Sequence, residues 1–140
     1  MSELQAFLNA HPIAGLTDEV AISDRFKGPD GRVLKFKIRV MTNEEFEAYR
    51  RQSMTVSADK KGRRRVDLDS AKFNALVVIN HTVDPNFKDA ASIQQLGCQT
   101  PEEYLNKVLL PGEIVDLANA ILRLSGFDEN MNVLVEEAKN

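Results

Sequence analysis

The sequence predicts an α+β fold: an N-terminal antiparallel β-hairpin, open to joining a small sheet, followed by a mostly α-helical C-terminal portion. Three observations predict it. Leu34, Phe36, Ile38 and Val40 alternate with Lys35, Lys37 and Arg39, the period of a half-buried strand. Gly28-Pro29-Asp30-Gly31 is a strong turn sequence, and upstream of it Val20, Ile22 and Phe26 share one parity. From Thr42 onward, helix-capping signals recur, each followed by apolar residues at helical spacing.

Taken in order, Leu4, Phe7 and Leu8 at i, i+3, i+4 predict one or two helical turns ending before Pro12, with one face free to dock on a core or a partner. The hairpin follows over about 18–41, one face apolar and the other rich in Arg25, Lys35, Lys37 and Arg39. Two strands alone are marginal in water, so helices must cover the apolar face or further strands must join. Thr42-Asn43-Glu44-Glu45 is a capping box that starts a helix over about 42–54. Ser57 to Arg65 is polar and crowded with like charges, and reads as an exposed, mobile loop.

A helix over about 69–82 carries Phe73, Leu76, Val77 and Asn80 on one face, and Val78 and Ile79 widen its apolar surface to two sides. Asp89 to Leu96 forms a short helix stopped by Gly97. Thr100-Pro101-Glu102-Glu103 caps a helix over about 101–109. Ile114, Leu117, Ala118, Ile121 and Leu122 then define one over about 113–125, and Asp128 caps a last helix over about 128–138. Acids at Glu136-Glu137 sit at the unfavourable end of that last helix dipole.

With 140 residues, 43% apolar and 28% charged, the chain has the composition of one soluble domain, 1–140. A chain of this size buries about two thirds of its unfolded surface, enough for a core without metal or disulfide staples. No apolar run approaches the roughly 18 residues of a membrane span, and the first residues lack the basic-then-apolar order of a secretion signal. A single cysteine, Cys98, fits a reducing cytoplasm, and a net charge of −3 argues against general nucleic-acid binding.

Catalytic patterns are sparse. His11 and His81 have no ligand neighbours at metal-binding spacing, so no metal and no cofactor is expected. His81 reads as a helix C-terminal cap or half-buried side chain, and Cys98 as an inert small hydrophobe. Gly28-Pro29-Asp30-Gly31 is a turn and not a phosphate cradle. The most pointed charge feature is Lys60, Lys61, Arg63, Arg64 and Arg65, a candidate loop for an anion or an acidic partner, with plain solvation as the alternative. No interleaved aromatic is present to stack bases. The helices after residue 100 either pack on one another or leave a groove for a partner helix.

The order of these motifs adds a further expectation. Leu-Gln-Ala-Phe-Leu at 4–8, Val20 to Phe26, Phe36-Lys37-Ile38-Arg39, Thr42-Asn43-Glu44-Glu45, Asn80 to Asn86 and Asp89 to Gln94 come in turn. Leu109-Leu110-Pro111-Gly112-Glu113, Ser125-Gly126-Phe127-Asp128 and Glu137-Ala138-Lys139-Asn140 complete the series. Together they resemble the XkdN-like phage tail assembly chaperones over nearly the whole chain, departing at Gln95-Leu96-Gly97-Cys98, where an aromatic is expected before the glycine. The resemblance implies a non-enzymatic protein of a phage or prophage that binds the tape measure protein and keeps it soluble until the tail is built. The tail tube protein is a further implied partner, and self-association is compatible with the role. The implied location is the cytoplasm of the bacterial host and not the finished virion. Tyr104, Leu105, Ile114, Leu117 and Ile121 are the candidate partner-binding residues. The competing class is a phage-encoded regulatory or nucleic-acid-binding protein that uses the basic loop 60–65.

Overall fold

The computed structural model describes residues 2–127, so the helix expected over about 128–138 lies outside the described residues. The architecture is α+β. Ser2 caps α1 (Glu3–Ala10) by accepting from the Gln5 amide, and no residue of this helix is buried. β1 (Thr17–Val20) pairs antiparallel with β2 (Phe36–Arg39), Thr17 opposite Arg39 and Val20 opposite Phe36. The expected turn is present between them: Gly31 N–H donates to the Gly28 carbonyl at 2.9 Å, and Gly31 takes a φ of +80° that suits glycine.

The paired strands are shorter than the run over about 18–41. Between Val20 and Phe36 the chain keeps only the Lys27–Val33 bridge and its adjoining turn bonds, because the segment around Arg25 turns away to reach a helix. Phe36, Ile38 and Val40 face the core as their parity predicts, whereas Leu34 is exposed, beyond the reach of β1.

The capping box forms at the start of α2 (Asn43–Gln52): Glu45 N–H donates to Thr42 Oγ1 at 3.2 Å, and Thr42 N–H donates to Glu45 Oε1 at 3.1 Å. The structure departs from the sequence reading at two places, 57–65 and Thr82. The stretch 57–65 is not a mobile loop. Its flanks are β3 (Met54–Ala58) and β4 (Arg64–Leu68), paired from Met54–Leu68 to Ala58–Arg64. Arg64 and Arg65 therefore lie in a strand, and only Lys60, Lys61 and Arg63 belong to the connection. One carboxylate closes that connection: Asp59 accepts from the Lys61 and Arg63 amides at 2.9 and 2.8 Å and from Arg63 Nε at 2.8 Å. Local pairing of opposite charges thus offsets the like-charge repulsion.

The second correction is at Thr82, where α3 (Ser70–His81) gives way to β5 (Thr82–Asp84). This strand joins the free edge of β2, so the hairpin becomes a three-stranded sheet in the order β1-β2-β5.

Asp89 and Thr100 cap α4 (Ala90–Gln95) and α5 (Pro101–Val108), as their spacing predicts. α6 (Pro111–Leu124) starts two residues before the expected 113, with Pro111 at its first position. The core lies where α3 and α6 pack together and against the sheet. Ile38, Val77, Leu105, Leu117 and Ile121 have no exposed surface. α3 is buried on both sides, as its broad apolar surface predicts. A further tie joins sheet and helices: Met41 N–H donates to Ser125 Oγ at 2.9 Å, and that hydroxyl donates to the Ile121 carbonyl at 2.8 Å.

Candidate functional site

Two polar clusters hold the elements together. At the first, Tyr49 Oη and His81 Nε2 share a hydrogen bond of 2.8 Å, and Glu45 Oε2 lies 3.8 Å from the same nitrogen. His81 is fully buried, not half-buried as expected. Burial above all, with Arg39 nearby, pushes its imidazole down to about 4, so it is neutral at pH 7. Burial likewise raises Tyr49. For Glu45, burial is the largest influence and opposes ionisation, but the Thr42 amide, His81, the Thr42 hydroxyl and Arg39 together hold it below its usual range. The cluster is sealed from solvent at His81, and its evident work is to fix α2 against α3.

The second cluster has no local signature in the sequence because its halves lie 88 residues apart. Arg25 grips Glu113 with two of its three guanidinium nitrogens, Nε to Oε2 at 3.0 Å and Nη2 to Oε1 at 2.7 Å, and Nη2 also donates to the Val108 carbonyl at 3.0 Å. Glu113 Oε1 accepts from the Leu110 amide at 2.8 Å, half of a capping box for α6. The Arg25 hydrogen bonds bring Glu113 down to about 2, against the opposing effect of burial. Arg25 is thus no free member of a basic sheet face. It joins the hairpin to the α5–α6 corner and covers the Phe26 ring at 4.5 Å. The only sequence signal was that both residues fall within motifs of the family resemblance.

The five candidate partner-binding residues separate. Leu105, Leu117 and Ile121 are core, a correction to their expected role as a surface: as folded they present nothing to a partner. Tyr104 and Ile114 are half-buried and line two different clefts beside α5. The cleft of about 320 Å³ between the sheet and α5 is walled by Phe26, Leu34, Phe36, Phe87, Tyr104 and Val108. Its aromatic pairs are Phe26–Phe36, edge to face at 5.1 Å, and Phe87–Tyr104 at 6.3 Å. The cleft of about 280 Å³ on the other side has Ile114 and Val115 with Asn106 and Glu102.

Other apolar side chains also stand open. α1 shows Leu4, Phe7 and Leu8 at 67%, 57% and 55% exposure. On the β3–β4 hairpin, the cross-strand pair Val56–Val66 is exposed, and so are Lys60, Lys61, Arg63, Arg64 and Arg65. Arg63 and Arg65 engage Asp59 and Asp67. Cys98 is buried and forms no disulfide. Among the described residues, no three His, Cys, Asp or Glu side chains converge as a metal site, and no helix is long and apolar enough to cross a membrane.

Among the described residues, an aromatic cleft, an exposed amphipathic helix and a basic hairpin are the surface features of this small α+β protein. Residues 4–139 match the family of Phage XkdN-like tail assembly chaperone proteins, and the chain belongs to that family. It is 33% identical to the uncharacterized protein YqbN of Bacillus subtilis (strain 168), over 99% of this chain and 93% of that one. It is 31% identical to the phage-like element PBSX protein XkdN of the same strain, over 99% and 94%. The fold matches the crystal structure of YqbN with a TM-score of 0.68, covering 91% of this chain and 99% of that one at 26% identity.

Proposed function

We propose that this protein binds the tape measure protein of its phage or prophage and keeps it soluble in the host cytoplasm while the tail is built. The role is binding without catalysis, and the protein leaves before the virion is complete. The tail tube protein is a second partner, met when the tube polymerises around the client.

The observation that carries this reading, beside family membership, is apolar surface left uncovered among the described residues: the α1 face and the aromatic cleft at Tyr104. A long helical client without its tube exposes apolar stripes and aggregates, and an amphipathic helix fits such a cleft by its i, i+3, i+4 side chains. Tyr104 and Ile114 touch the client from either side of α5, whereas Leu105, Leu117 and Ile121 hold the shape of that surface from beneath.

Co-expression with the tape measure protein from the same phage or prophage tests the reading. This protein is expected on a tagged client, with the client now in the soluble fraction. Tyr104→Lys is expected to lower the retained amount several-fold without changing the melting temperature by more than a few degrees. An insoluble client in the presence of the wild-type chain contradicts the proposal.

A further inference from the structure

Three helices meet at the cleft of about 280 Å³ beside Ile114. α3 sets Asn74 and Ala75 in it, α5 sets Glu102 and Asn106 one turn apart, and α6 sets Ile114 and Val115. Asn74 and Ala75 are buried and make the floor, whereas Glu102, Asn106 and Val115 are exposed and make the rim. The volume lies below the roughly 300–1,000 Å³ of pockets for drug-sized ligands, and suits one side chain.

The floor holds an unmet acceptor. α3 buries two polar side chains among apolar ones, Asn74 and His81. His81 meets Tyr49 at 2.8 Å. Asn74 is only 9% exposed, and its Oδ1 has no hydrogen-bond partner. A buried acceptor without a donor is unfavourable, and an apolar residue at that position would avoid the cost. A ligand that brings a donor into the cleft removes the deficit.

The rim holds an unneutralised charge. Glu45 and Glu113 are paired with Arg39 and Arg25, but among the described residues Glu102 forms no ion pair. Its neighbour Glu103 is engaged in capping, accepting from the Gln99 amide at 2.9 Å. Lys107, the one cation of α5, donates instead to the Leu96 carbonyl at 3.0 Å.

A buried acceptor, aliphatic walls and a rim carboxylate together define the complement: a long apolar stem that ends in a cation with several donors. Arginine and lysine have that form, since their stems lie along apolar surface while the charged head meets polar groups. A guanidinium carries five donors and serves more than one acceptor at once. An acidic side chain would be repelled by Glu102, and an apolar one would leave Asn74 unpaired.

We propose that this cleft is a binding site for a single basic side chain, its stem against Ile114 and Val115 and its donors on Asn74 and Glu102. That the side chain belongs to a helical segment of the client rests on the tape measure reading; the chemistry of the cleft does not. On that reading α5 sorts its client by two features, an apolar residue for the aromatic cleft at Tyr104 and a basic residue for the cleft at Asn74.

The test is a titration of the full-length protein with n-butylguanidinium at low ionic strength. It is followed by NMR at the Asn74 and Asn106 side-chain amides and the Ile114 and Val115 methyl groups. Saturable shifts are expected there, with binding at least threefold tighter than for n-butanol or for guanidinium alone. Glu102→Gln, at an exposed position, is expected to weaken binding at least threefold without altering the melting temperature, and Asn74→Ala to weaken it by a similar factor. If Asn74→Ala fails to fold, Glu102→Gln decides alone. Equal affinity for n-butanol would assign the cleft to an apolar side chain and overturn the proposal. Affinity indifferent to Glu102→Gln, or no saturable shift at these groups, overturns it too. The titration uses no client, so its failure leaves the tape measure reading standing. An insoluble client beside a positive titration contradicts that reading and upholds the site.

Discussion

α6 and α1 begin from the same pattern, apolar residues three and four apart on a capped helix, and end in opposite conditions. α6 buries Leu117, Ala118, Ile121 and Leu122 completely, between α3 and the sheet. α1 buries nothing, although Leu4, Phe7 and Leu8 are as apolar as the residues of α6. Periodicity specifies a helix and its adhesive face, but the rest of the fold decides whether that face meets the chain's own core or stays open to another molecule. In this protein the contrast separates residues that stabilise the fold from residues left exposed among those described.

The largest expected effect breaks the α6 side of that contrast. Leu117→Ala should destabilise the fold by about 2–5 kcal/mol, read from urea unfolding, because the site is closed on all sides. Next comes acid. His81 is neutral in the fold, at about 4, and ordinarily titrates at 6.5, so the unfolded chain binds the extra proton between those values. Stability is then full above 6.5 and falls as pH drops toward 4, by up to about 3 kcal/mol. Unfolding midpoints from pH 7 to 4 should show that slope, and His81→Gln should flatten it.

Glu113→Gln should cost about 1–3 kcal/mol by undoing the two-pronged grip of Arg25 while leaving the helices intact by circular dichroism. The smallest effect sharpens the other side. Leu4→Ser with Phe7→Ser should move stability by no more than about 0.5 kcal/mol, because the only packing lost is the exposed stacking of Phe7 on His11 at 4.3 Å. If that pair of changes unfolded the protein, α1 would belong with α6 and not apart from it.

What the sequence made legible was local. Thr42, Asp89 and Thr100 announce their helices because a cap and its target amides lie within three residues. The Gly28–Gly31 turn and the Phe36–Ile38 alternation are equally short-range. The β3–β4 hairpin was hidden because its five cations dominate the reading of 57–65, while the interactions that pair it, Asp59 with Arg63 and Val56 with Val66, are visible only across the turn. β5 was hidden because Thr82 continues an apolar helical run, and only the free edge of β2 makes a strand the better outcome.

The candidate surface was legible in part. Helical spacing placed Tyr104, Leu105, Ile114, Leu117 and Ile121 on apolar faces. It could not separate Leu105, Leu117 and Ile121, which the sheet and α3 enclose, from Tyr104 and Ile114 at the cleft mouths. Arg25 and Glu113 had no local signal at all, since their contact exists only after the hairpin docks on α6.

The central claim is that uncovered apolar surface shields a client, and light scattering tests it most directly. Tape measure protein diluted from denaturant should scatter less with each addition of this protein, reaching a plateau at a fixed molar ratio. The Leu4→Ser, Phe7→Ser variant and Tyr104→Lys should each require several-fold more protein for the same effect. Scattering that stays unchanged at a several-fold molar excess of the wild-type chain would contradict the claim.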